Sequence, residues 1–63
     1  MKVGDLIVLP VGARNAYSIV SNVAILWEKI PRKDYLEYDW KVLADGQFFK
    51  FGRQIEYNTE VVN

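Results

Sequence analysis

Hydrophobic and polar positions alternate most regularly from Asp39 to Phe51, on either side of Asp45-Gly46. An Asp-Gly pair between two apolar-rich runs predicts a two-residue hairpin loop. A type I′ turn needs φ > 0 at both central residues, and this pair tolerates it. Counting outward sets Ala44 opposite Gln47, Leu43 opposite Phe48, Val42 opposite Phe49, Lys41 opposite Lys50 and Trp40 opposite Phe51. Successive side chains point to opposite faces of a strand. Trp40, Val42, Ala44, Gln47, Phe49 and Phe51 therefore share one face, and Lys41, Leu43, Phe48 and Lys50 share the other. The first is the predicted core face, because it holds cross-strand pairs of aromatic and β-branched residues. The second is the predicted solvent face, because burying two facing ammonium groups would cost several kcal/mol.

Elsewhere the pattern is less regular. Leu6-Ile7-Val8-Leu9 is a short β-prone run ended by Pro10, which cannot donate to a ladder. Residues 12–15 read as a loop. Residues 17–27, rich in Ile and Val, predict a longer strand. Its alternation sets are Ile19, Ser21, Val23, Ile25, Trp27 and Val20, Asn22, Ala24, Leu26. Neither is cleanly polar; the first is bulkier and is the expected inner set. Pro31 pushes Ile30 from helical geometry and marks the next break. Gly52 ends the hairpin, residues 53–58 have room for one 3₁₀ turn, and residues 59–62 close the chain as a short strand. Five strands separated by turn signals read as a small barrel. The expected core is Val3, Leu6, Val8, Ile19, Val23, Ile25, Trp40, Val42, Phe49, Phe51 and Val61.

Composition narrows what such a fold can do. At 63 residues the chain is one domain, 1–63. A domain of this size buries only about 60% of the surface its unfolded chain exposes, so it leans on a staple, a partner subunit or an unusually good core. It has no His and no Cys, which excludes a disulfide, a Cys/His zinc site, a thiol nucleophile and an imidazole base. Hydrophobic residues make up 51%, a surplus that another subunit is expected to cover in part. Eight Lys+Arg balance eight Asp+Glu, leaving no net field to attract nucleic acid or anionic lipid. Residues 28–41 carry mixed charges and read as a solvated connection. Asp5 falls where a signal peptide would be apolar, and no apolar run approaches the ~20 residues of a membrane span. Lack of cysteine fits a reducing, cytoplasmic setting.

Lys2-Val3-Gly4-Asp5-Leu6-Ile7, Ser18-Ile19-Val20, the stretch from Trp40 to Gly46 and Glu60-Val61-Val62-Asn63 together carry a resemblance. The chain resembles an SH3-like barrel, and more particularly the very short SH3-like proteins of tailed bacteriophages, including those of marine bacteria. The resemblance implies an all-β, small five-stranded SH3-like barrel. It also implies a non-catalytic interaction module, accessory or structural, in the host cytoplasm or the virion. It supplies no catalytic residues. Residues 28–37 depart from it in being longer and more charged than the usual connection.

Leu43 facing Phe48 on the solvent face, rimmed by Lys41 and Lys50, is the sharpest candidate contact patch, for a second copy (a homo-oligomer) or a protein partner. The plainer alternatives are scattered exposed apolar residues, which are common, or residues 28–37 folded over the pair. Tyr35, Tyr38, Trp27 and Tyr17 are candidates for an aromatic groove for polyproline-II peptides, or a cage for a methylated lysine. Ordinary packing is the more economical reading. Arg14, Arg32, Lys33, Lys41, Lys50 and Arg53, with Phe48 and Tyr35 to stack bases, make a small nucleic-acid-binding barrel the alternative function. Catalysis has little to work with: no serine has a histidine partner, no glycine-rich phosphate loop exists, and Asp34 with Glu37 lies in a charged stretch. No cofactor, metal or small-molecule substrate is expected, and no membrane.

Overall fold

The structure, a computed structural model, describes residues 1–33 and 37–62. Five antiparallel strands form one sheet: β1 (Leu6–Val8), β2 (Val23–Pro31), β3 (Tyr38–Ala44), β4 (Gln47–Gly52) and β5 (Glu60–Val61). A short helix, α1 (Val11–Tyr17), joins β1 to the approach to β2, and a 3₁₀ turn (Arg53–Tyr57) joins β4 to β5. The strand order is β4-β3-β2-β1-β5.

The β3–β4 hairpin has the predicted turn. Asp45 at φ 53° and Gly46 at φ 72° both occupy the left-handed region that a type I′ loop demands. Every predicted pair occurs, from Ala44 with Gln47 to Trp40 with Phe51. Trp40, Val42 and Ala44 are buried, Phe49 and Phe51 pack against the core, and Lys41, Leu43, Phe48 and Lys50 lie on the outer face. The Asp45 carboxylate also accepts the backbone N–H groups of Val20 at 2.6 Å and Ser21 at 3.0 Å. It thereby fastens the segment after α1 to the turn and helps hold the neighbouring Ile19 in the core.

The all-β architecture of five antiparallel strands is as expected, but the sheet is not closed into a barrel. β4 and β5 are its outer strands and do not pair. The inner face is covered instead by Ile19 after α1 and Ile55 of the 3₁₀ turn, while Tyr17 lies against Phe49 and Phe51 with ring centres 5.4 and 5.1 Å away.

Three expectations are corrected. The predicted loop at 12–15 and the first part of the predicted strand at 17–27 are α1 and its exit. Ser18, at φ 55°, ends the helix, and the N–H of Ile19 returns to the carbonyl of Arg14 at 2.9 Å. β2 then runs from Val23 through the expected break to Pro31, which tolerates the strand's last position because a ladder N–H is not needed there. Finally, Ala24 and Leu26 are the inner residues of β2, not Val23, Ile25 and Trp27. A register shift between Leu26 and Glu28 places two residues of β2 opposite one of β3. No single alternation set therefore describes the strand. The same inversion runs through β1: Ile7 and Leu9 are buried, whereas Val8 is exposed and Leu6 half-buried. Val3 and Val61, expected in the core, are exposed; Ile7, Leu9, Ala24, Leu26, Ala44 and Ile55 join it instead.

Leu26→Ala should cost about 2–5 kcal/mol or unfold the domain outright, and Ile25→Ala on the neighbouring outer position far less, by urea denaturation. The opposite order would contradict the face assignment. Asp45→Ala should cost about 1–2 kcal/mol in the same assay, through two lost acceptor contacts and a φ that alanine resists; an unchanged midpoint would show the clamp to be idle.

Candidate functional site: the outer sheet face

The register that buries Ile7, Leu26 and Val42 presents a second set of apolar side chains on the other side of the sheet. Leu6 pairs with Ile25, Ile25 with Leu43, and Leu43 with Phe48, so one row crosses β1 to β4. Val62 extends it beyond β5, its N–H donating to the Leu6 carbonyl at 2.8 Å. Val8 and Val23, a directly opposed pair, form a second row on the same face. Trp27, turned outward at the bulge, meets Phe48 edge-on with ring centres 5.3 Å apart. Trp27 remains 49% exposed and Phe48 50%, so about half of each residue's surface stays open to solvent.

Charges frame this row. Lys41 Nζ stands 4.5 Å from the Phe48 ring centre and 4.0 Å from the Glu28 carboxylate, and Lys50 faces Lys41 across the hairpin. Glu60 pairs with Val8 and so lies at the opposite edge of the same face. Asp39, also paired into β3–β4, accepts from Arg32 Nε at 3.0 Å. That hydrogen bond, against the opposing effect of burial, holds the Asp39 carboxyl below its ordinary range and raises Arg32 in turn.

The predicted patch residues Leu43, Phe48, Lys41 and Lys50 are thus brought together. Among the described residues the aromatic groove is not assembled. Tyr38 lies on the inner face with Trp40, their ring centres 5.9 Å apart. Tyr17 covers Phe49 and Phe51, and Trp27 is on the outer face. Tyr35 and Asp34 lie outside the described residues. Residues 28–37, the alternative cover for Leu43 and Phe48, are in part strand, since residues 28–31 belong to β2. Sequence reasoning missed Leu6, Ile25, Trp27 and Val62 as members of the patch. Leu43 implied that its partner on the preceding strand also faced outward, but nothing in the sequence named that partner.

Two other places were candidates for chemistry. Tyr38 and Trp40 both donate to Glu56, Trp40 Nε1 at 2.8 Å. Burial works to raise the Glu56 pKa, yet the two donors, together with the charges of the amino terminus and Arg53, hold the carboxyl below its ordinary value. The same bond to Glu56, aided by burial, pushes the Tyr38 phenol up and keeps it protonated. Lys29 Nζ sits 4.0 Å from the Tyr38 ring centre. An open cleft of about 360 Å³ lies between Pro10, Gly12 and Ala13 at the start of α1 and Phe51, Gln54 and Ile55. Among the described residues no group of three or more Asp or Glu side chains is placed to hold a metal ion, and no helix is long and apolar enough to cross a membrane.

In comparisons with protein-family models, curated proteins and solved structures, nothing matches this chain.

Because the folded state depresses the Glu56 pKa from 4.5, its ionised form stabilises the fold fully above that value. The contribution disappears as pH falls through the lower, folded-state pKa. Glu56→Gln should therefore lower stability at pH 7 (near neutrality) and narrow its gap to the native chain under strongly acidic conditions, read by urea denaturation at each pH. An equal gap at both would contradict the role given to the carboxylate.

Proposed function

We propose that this chain is a non-catalytic protein-interaction module that docks through the outer face of its sheet. We further propose that it belongs with the short SH3-like proteins of tailed bacteriophages, serving as an accessory or structural part in the host cytoplasm or the virion. The observation that carries the docking reading is the half-exposed Trp27–Phe48 pair on an apolar row crossing the sheet. Aromatic side chains in an apolar patch with a charged rim are where binding energy concentrates in protein interfaces. A continuous exposed apolar face on so small a domain is also what a partner would be needed to cover.

Two features favour a non-catalytic role. Glu56, a half-buried carboxylate, is already engaged by Tyr38 and Trp40. Its phenol partner is held in the neutral form and is a poor nucleophile. Nucleic-acid binding, the alternative, draws less support from the cations. Arg32 and Lys41 each face a carboxylate, and Arg14 is bonded to Asn22. A groove tracking a phosphate backbone needs such groups unengaged and aligned.

The test is site-specific photo-crosslinking in cells expressing the chain. A photoreactive amino acid at position 48 should yield a discrete heavier adduct. The same group at position 57, more exposed than 48 but on the 3₁₀ turn, should yield none. Matching patterns from both positions, or no adduct from 48, would contradict docking through this face.

A further inference from the structure

We infer that the occupant of the outer face is a second copy of this chain, packed sheet against sheet about a twofold axis; the inference rests on the docking reading above. The argument comes from how charge is distributed over the face. Its apolar middle lies on β2, the central strand of five, at Ile25. Its β3–β4 flank carries Lys41 and Lys50 projecting outward; Glu28 answers Lys41, so Lys50 at the edge supplies the flank's net positive charge. Its β5 flank is acidic, with Glu60 exposed beside Val8. A twofold axis lying in the interface, passing near Ile25 and perpendicular to the line from Lys50 to Glu60, exchanges the flanks and brings Lys50 of one copy toward Glu60 of the other. Each basic flank then meets an acidic one, and the apolar rows meet each other. An interface of this kind is isologous and needs no partner beyond the chain itself.

A partner of one charge sign fits the face less well. An acidic surface would pair with Lys50 and repel Glu60, and a basic one would do the reverse. Size is also compatible. A standard interface buries about 800 Å² per partner, about a fifth of the 4348 Å² this chain exposes. Leu6, Val8, Ile25, Trp27, Phe48 and Val62 supply apolar atoms for its centre, and two sheets packed face to face form the same layer arrangement as a β-sandwich core.

Sedimentation equilibrium of the purified chain should give twice its mass of 7.3 kDa. Glu60→Lys and Lys50→Glu should each weaken the dimer about tenfold, while the double variant restores it to within a few-fold of the native Kd. Ile25→Glu should give a monomer. Far-ultraviolet circular dichroism and a cooperative urea transition check that each variant is folded. If Ile25→Glu does not fold, the charge-swap series decides alone. A doubled mass unmoved by either reversal would place the contact elsewhere and overturn the inference. A chain that stays monomeric to millimolar concentration would overturn it too. If that monomer still yields a heavier adduct from position 48, docking stands and only the second copy falls; with no adduct, both fall.

Discussion

The reversal at Asp45-Gly46 is the constraint on which the rest of the structure depends. Two consecutive positive φ angles are costly almost everywhere in a chain and cheap at a turn of this type. Placing them there leaves one register for β3 against β4. Because side chains alternate with a period of two, that register decides which side chains are core and which are surface. Slipping it by one residue would turn one strand over against the other, carrying Lys50 inward and Phe49 and Phe51 outward, or else Lys41 inward and Trp40 and Val42 outward. The turn also acts at a distance through the Asp45 carboxylate, which takes the backbone donors of Val20 and Ser21. In one residue the chain joins its strongest local signal to its least regular segment.

From that ordered pair the sheet grows outward with a change of phase. The bulge after Leu26 lets β2 turn Trp27 to the outer face while Lys29 returns inward beside Tyr38. A five-stranded sheet of this size has two faces and too little chain to cover both. The inner one is closed by Ile19 and Ile55, delivered by α1 and the 3₁₀ turn, with Glu56 accepting from Tyr38 and Trp40 beside them. The outer one keeps its apolar row. The excess of hydrophobic residues for so short a chain and the exposed row are the same fact viewed at two levels. The proposed pairing of two copies accounts for both.

How far this was legible in the sequence varies by element. The hairpin was fully readable because its loop is two residues long and its signal is local. The patch at Leu43 and Phe48 followed from it by counting. The 3₁₀ turn and the last strand were readable from Gly52 and the β-prone end. α1 was not. It is seven residues long, buries none of its residues and has no side-chain cap, so neither periodicity nor end signals mark it. The inner face of β2 was misread because both alternation sets are apolar, one side chain set facing the core and the other the exposed patch. A strand that is apolar on both faces carries no record of which is inside, and a bulge erases what phase remains. The closure of the barrel was overestimated for a related reason: strand number was readable, but pairing between the outer strands was not.

The most direct measurement is the pattern of cross-strand nuclear Overhauser contacts in the hairpin. The pair that closes a two-residue loop exchanges hydrogen bonds, so the alternation makes Leu43–Phe48 and Lys41–Lys50 the close, non-hydrogen-bonded pairs. Strong contacts between their α-protons are expected, together with side-chain contacts from Phe48 to Trp27. Strong α-proton contacts from Val42 to Phe48, marking a register slipped by one, would contradict the assignment of both faces and the docking surface that depends on it.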